Sequence, residues 1–177
     1  TYIVNGVRTS SKKGMGRANL FQPAAQLDLV IYNNEFRNLQ RLKEFRWSHL
    51  YKTVFFDISK NAVALFMVEL LMKTIKQPET NAELFYFIED AFQHLDEATP
   101  AVVANFAVFF ALHLPSFFGF RMNDDYSEKN NIMDLMEGNF VEERPAHAHY
   151  LEGQNSFITS QFLKILQPGE LEQLKLN

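Results

Sequence analysis

The sequence predicts an α+β protein: a short strand-forming region over residues 1–46 followed by a larger all-α region over residues 47–177. Three observations carry this reading. The hydrophobic period changes from about two to about 3.6 near residue 47. Net charge changes sign there too. Residues 1–46 hold eight cations against three acids, +5, and the remainder holds nine cations against eighteen acids, −9. The composition, 47% hydrophobic and 21% charged, is that of a folded chain and not of a disordered one.

In chain order, "YIVNGVR" (2–8), "AQLDLVIY" (25–32) and "NLQRLKEFRW" (38–47) read as strands, and "YNNEF" supplies the turn between the last two. "DISKNAVALFMVELLMKTIK" (57–76) opens on Asp57 as N-cap and is apolar on nearly every side, which predicts a helix buried at the centre of a bundle, stopped by Pro78. Next, "TNAELFYFIEDAFQHLDEA" sets Thr80 and Glu83 in capping-box spacing and lines Leu84, Ile88, Ala91, Phe92 and Leu95 along one stripe.

Residues 98–120 carry no charge, long enough for a membrane span by length alone. Asn105, His113 and Pro115 interrupt the run and apolar stripes are available nearby, so a core helix ended by Pro115 and Gly119 is the preferred reading. From Arg121 to about Asn155 the sequence reads as irregular, with one short apolar element in "IMDLMEGNF". A helical stripe through Phe157, Ile158, Phe162 and Ile165 follows. The absence of an initiator Met and the unfinished amphipathic "PGELEQLKLN" lead to the expectation that the natural chain extends in both directions.

Several chemistries lack their residues. With no cysteine, disulfides, thiolate catalysis and Cys-ligated zinc are excluded. Gly14 and Gly16 are not followed by the Lys-Ser/Thr of a phosphate-binding loop. No Ser/His/Asp arrangement is recognisable, so the chain is expected not to be an enzyme. "HAH" (His147, His149) has a spacing by which two imidazoles can share a metal, against the plainer reading of a solvated loop. The start of the chain lacks the order of a signal peptide, which leaves the cytoplasm as the expected location.

The strongest functional signal is "VRTSSKKGMGR", four cations in eleven residues without an acid. Arg8, Lys12, Lys13 and Arg17 stand among Gly and Ser that allow close backbone approach to a phosphate. The strand at 38–47 and its lead-in add Arg37, Arg41, Lys43 and Arg46, interleaved with Leu, Phe and Trp47. Small β-barrels that bind single-stranded nucleic acid combine such a cationic groove with stacking aromatics. Phe36, Phe45 and Trp47 fit that role or a core role equally.

The succession of "YIVNGVR", "TSSKKGMGRANL", "FQPAAQLDLVIYNNEFRNLQRLKEFR", "LFYFIEDAFQHLD" and "FFALHLPSFFGF" resembles the bacterial RecO recombination-mediator family over most of the chain and in the same order. The resemblance implies a partial N-terminal OB-type β-barrel, with three of five strands in this chain, and a helical C-terminal domain. It implies binding of single- and double-stranded DNA, strand annealing, work with RecR, and engagement of the C-terminal tail of single-stranded DNA-binding protein, so that recombinase is loaded without a cofactor. It assigns phosphate contacts to Arg8, Lys12, Lys13 and Arg17; Arg37, Arg41, Lys43 and Arg46 extend the set by charge. Many relatives carry a four-cysteine zinc site where residues 121–155 here have none. The alternative function is a protein-interaction scaffold whose basic segment holds an acidic partner.

Overall fold

The computed structural model describes residues 2–4, 21–34, 36, 38–76 and 80–174. The chain divides into two units, Thr1–Lys52 and Thr53–Asn177, and the class is α+β.

The first unit is built on a three-stranded sheet of order β1-β3-β2, with β1 at Tyr2–Ile3, β2 at Leu27–Tyr32 and β3 at Gln40–Trp47. β1 runs parallel to β3, and β2 antiparallel to it. Among the described residues the sheet is open and no barrel closes. The expected first strand extends past Val4 into residues outside the described set. Asn34 shapes the β2–β3 connection: its amide donates to Gln40 Oε1 at 2.9 Å and its carbonyl accepts from Gln40 Nε2 at 2.9 Å.

The β2–β3 ladder shifts register between Val30 and Ile31, so that Val30 faces Glu44 while Ile31 faces Leu42, and Lys43 is the extra residue of a β-bulge. Without it, Arg41 and Arg46, five residues apart, would point to opposite faces. The bulge restores a common face. Trp47, Phe45 and Leu42 therefore share one side with Leu27, Leu29 and Ile31, and Phe21 packs on Phe45 with ring centroids 4.7 Å apart.

In the second unit, α1 (Ile58–Thr74), α2 (Ala82–Glu97) and α3 (Pro100–His113) are followed by a 3-10 turn at Leu114–Phe118. Asp57 caps α1 by accepting from the amides of Ser59 and Lys60. α2 departs from the expected capping box by one residue: Asn81, not Thr80, is the N-cap, its Oδ1 accepting from the Leu84 amide at 2.9 Å. Leu84, Ala91, Phe92 and Leu95 of the expected stripe are buried. Pro78, the expected stop of α1, lies outside the described residues; the helix ends at Thr74.

α3 is the core helix, packing against α1, α4 (Gly153–Leu163) and a second 3-10 turn at Pro168–Gln173. Phe106, Phe109, Phe110 and Leu114 are no more than 1% exposed. By length and composition Pro100–Phe118 also suffices to cross a membrane. Its end follows the sequence reading: Pro115 changes the winding, and Gly119 closes it at φ 81°, a left-handed conformation glycine adopts without strain.

Three expectations are corrected. α1 is not at the centre of a bundle, since only Lys60, Ala64 and Met67 are buried and Ile58, Leu65, Phe66 and Met72 lie exposed. Residues 121–155 are not merely irregular. They form a three-stranded antiparallel sheet of order β5-β4-β6, with β4 at Ile132–Asp134, β5 at Asn139–Val141 and β6 at Tyr150–Leu151. Finally, α4 buries Ser156, Thr159, Ser160 and Phe162, while Phe157 of the expected stripe is exposed.

The start of α1 is tied to the end of α2 by a buried polar cluster. Asp96 Oδ1 accepts from the amides of Thr53 at 2.7 Å and Val54 at 2.9 Å. Lys60 Nζ donates to the Asp96 carbonyl at 2.6 Å and to Thr53 Oγ1 at 3.0 Å. Each donor there gains an acceptor, the condition under which burying polar groups is tolerated.

Candidate nucleic-acid interface

Arg41, Lys43 and Arg46 are exposed on β3. With the bulge in place, Arg41 and Arg46 share the polar face with their cross-strand neighbours Tyr32 and Asp28. Arg46 Nε donates to Asp28 Oδ2 at 3.0 Å, and Lys43 Nζ lies 3.6 Å from Glu44 Oε1. Arg41 has no ion-pair partner among the described residues.

Both ion pairs are open to solvent, and such pairs contribute only about 0–1 kcal/mol. A phosphate can replace the carboxylate on Arg46 or Lys43 at little cost. Still, Asp28 and Glu44 lower the net charge of this face, and sequence reasoning counted the cations without placing these acids beside them. Arg8, Lys12, Lys13, Arg17 and Arg37 lie outside the described residues.

The aromatic side chains separate by face. Phe45 is held against Phe21 on the apolar side, and Trp47 is half-buried on that side too. Neither offers a free stacking surface on the cationic face. Phe36, in the connection between β2 and β3, is fully exposed. Tyr32, which the sequence reading did not single out, is 57% exposed opposite Arg41. The signal for Tyr32 was its place at the end of β2, which becomes meaningful only with the register.

The two histidines differ: His147 is tied into the fold, and His149 stays exposed in the loop. His147 Nε2 lies 3.2 Å from Asp134 Oδ2, while its Nδ1 accepts from the His149 amide at 3.2 Å. This network assigns the proton to Nε2 and leaves neither nitrogen for a metal. Asp134 is 5% exposed. Burial would raise its pKa, but the amides of Glu137 and Met136 and the nearby His147 outweigh that and hold the carboxyl below its ordinary value. These bonds fasten the β4–β5 turn, where Gly138 has φ 71° and a Cβ would come 3.1 Å from the Phe120 ring. Among the described residues no group of three or more His, Cys, Asp or Glu side chains is placed to hold a metal.

Residues 56–128 match the family described as Recombination protein O C terminal. The chain is RecO-like. It is 29% identical over 163 residues to the DNA repair protein RecO of Christiangramia forsetii, covering 92% of this chain and 66% of that protein. The RecO of Phocaeicola vulgatus is 26% identical over 146 residues, 82% of this chain and 60% of the relative. That of Bacteroides fragilis is 29% identical over 143 residues, 80% and 59%. The chain thus spans roughly three-fifths to two-thirds of the length of these curated relatives. The family match covers α1, α2, α3 and the turn after them, and the RecO similarity reaches over most of the chain.

Proposed function

We propose that the protein acts as a RecO-like recombination mediator: it binds single- and double-stranded DNA, anneals complementary strands, and helps load recombinase onto strands coated with single-stranded DNA-binding protein. The observation that carries this reading is the RecO similarity over 92% of the chain. The exposed cations of β3 fit it. In this reading the first unit is a portion of an OB-type barrel, and the strand region 1–46 and the helical region 47–177 divide the labour between DNA and protein partners.

Arg8, Lys12, Lys13 and Arg17, with Arg37, Arg41, Lys43 and Arg46, neutralise phosphates on two strands, release their counterions and reduce the repulsion that opposes pairing. Asp28 and Glu44 compete with phosphate for Arg46 and Lys43. No bond is made or broken, so neither a catalytic residue nor a cofactor is required. RecR and the C-terminal tail of single-stranded DNA-binding protein are the proposed protein partners, in the cytoplasm.

The test titrates a labelled single-stranded oligonucleotide and, separately, an acidic peptide against the chain at physiological salt, then follows annealing of complementary strands. Micromolar or tighter oligonucleotide binding with accelerated annealing is expected. Peptide binding without oligonucleotide binding overturns the reading in favour of a scaffold for acidic protein partners.

A further inference from the structure

Across the sheet of the first unit, the register sets Ile3, Arg41 and Tyr32 in one row, each opposite the next on a neighbouring strand. Directly opposed residues of neighbouring strands project from the same face. The row therefore carries an apolar side chain, a cation and an aromatic ring side by side, and all three are exposed. Val30, two residues before Tyr32, adds a further exposed apolar side chain to that face.

The two ends of the face differ in charge. At one end Arg46 is held by Asp28 at 3.0 Å, and Glu44 there lies 3.6 Å from Lys43 Nζ. At the other end Arg41 has no ion-pair partner among the described residues, so an anion can reach its guanidinium without displacing a carboxylate. Tyr32 stands directly beside it.

Phe36 extends this end. It is 99% exposed in the β2–β3 connection, where its amide donates to Asn34 Oδ1 at 3.0 Å while the Asn34 backbone is bonded in both directions to the Gln40 side chain. Gln40 precedes Arg41 on β3, so the clasp that closes the connection keeps Phe36 at the Tyr32–Arg41 end of the sheet. The four residues from Tyr32 to Phe36 span at most about 14 Å, or about four steps of a strand stacked at about 3.4 Å. Two exposed rings and a cation within that reach match what a single strand displays, bases with free π-faces joined by phosphates. A duplex displays the phosphates and keeps its base faces stacked inside.

We propose, resting on the DNA-binding reading above, that Tyr32 and Phe36 stack on the bases of a single strand whose phosphate lies on Arg41, so that this end of the sheet holds single strands in preference to duplex. Because every base has a π-face, the contact is indifferent to sequence. Lys43 and Arg46 reach phosphates of either form.

The test follows binding to the whole chain by fluorescence anisotropy with three labelled probes of equal length: a single-stranded oligonucleotide, its duplex, and an abasic strand that keeps the phosphates and lacks the bases. Tyr32→Ala and Phe36→Ala are each expected to weaken single-strand binding at least fivefold, the lower bound for losing one base–aromatic stack. Both leave duplex and abasic-strand binding, and the salt slope, unchanged. Tyr32→Phe keeps the ring and restores the affinity that alanine loses. Arg41→Gln instead weakens all three probes and lowers the magnitude of the single-strand salt slope by about 0.7. Phe36 is fully exposed, so its substitution serves if Tyr32→Ala fails to fold by circular dichroism. An unchanged single-strand affinity in either folded alanine variant, or equal losses on all three probes, overturns the proposal while the DNA-binding reading stands. Failure of the unaltered chain to bind any probe overturns both and leaves the exposed rings to a protein partner.

Discussion

The two units meet water in opposite ways. In Thr53–Asn177 the centre of the core is dry: Phe106, Phe110, Leu95 and Met67 have no exposed surface. In Thr1–Lys52, Tyr51 alone among the described residues is buried, and the apolar side of the sheet is left half-covered. The difference teaches where each unit's sequence is committed. Helical residues are spent on packing, which tolerates few changes of volume. Strand residues are spent on a surface, where charge decides what is attracted and exposed ion pairs hold little stability.

The contrast breaks most visibly under truncation of an aromatic side chain. Phe106→Ala is expected to lose about 3–5 kcal/mol of unfolding free energy, as large-to-small changes in packed cores do, measured by urea denaturation followed by circular dichroism. Phe45→Ala, partly buried beside Phe21, is expected to lose less than the about 3–5 kcal/mol of a phenylalanine in a packed core. Equal losses would mean that the sheet is packed as tightly as the bundle.

Asp96→Ala comes next. It strips the acceptor from the Thr53 and Val54 amides at the entrance to α1, and each buried donor left without a partner costs about 1–3 kcal/mol. A loss near 3 kcal/mol in the same denaturation assay is expected, and a loss under about 0.5 kcal/mol would remove this cluster from the account.

Acid separates the units further, because the shifts at partly buried His113 and buried Asp134 both belong to the helical one. Burial lowers the pKa of His113 below 6.5, against opposing hydrogen bonds to the Phe162 and Ile165 backbone. The unfolded chain therefore takes up that proton first. The contribution of a neutral His113 is complete above pH 6.5 and is lost as pH falls through the folded value. Asp134, held below its ordinary 3.8, contributes above that pH and loses its contribution as pH falls through its own folded value. Thermal midpoints measured across both windows should flatten in the upper one for His113→Phe and in the lower one for Asp134→Asn. An unchanged upper window in His113→Phe would contradict the burial of that imidazole.

The smallest expected effect lies in the sheet. Asp28→Ala frees Arg46 and should alter stability by less than about 1 kcal/mol while tightening oligonucleotide binding, read by fluorescence anisotropy. Weaker binding instead would mean that Asp28 orients Arg46 for its ligand.

Much of the fold was legible because single residues announced it. Asp57 marks the start of α1, Pro115 and Gly119 mark the end of the core helix, and the 3.6-residue stripe of α2 named its buried side. What stayed hidden depended on partners distant in sequence. The β4–β5–β6 sheet is made of strands two or three residues long, too short for a period to emerge, and is fastened by Asp134 and His147, thirteen residues apart. Uniform apolarity in α1 cannot say which side the molecule covers. At the candidate interface the cations of β3 were plain, whereas the bulge at Lys43, the acids beside Arg46 and Lys43, and the place of Tyr32 all follow from register, which no run of ten residues specifies.

The central claim, that the basic front region holds a polyanion, meets its most direct test in the salt dependence of single-stranded oligonucleotide binding. Arg8, Lys12, Lys13 and Arg17 are replaced together by glutamine, and the logarithm of affinity is plotted against the logarithm of salt concentration. If each of the four cations neutralises one phosphate, the magnitude of the slope falls by about 2.8 relative to the unaltered chain. An unchanged slope, with annealing intact, would contradict the account.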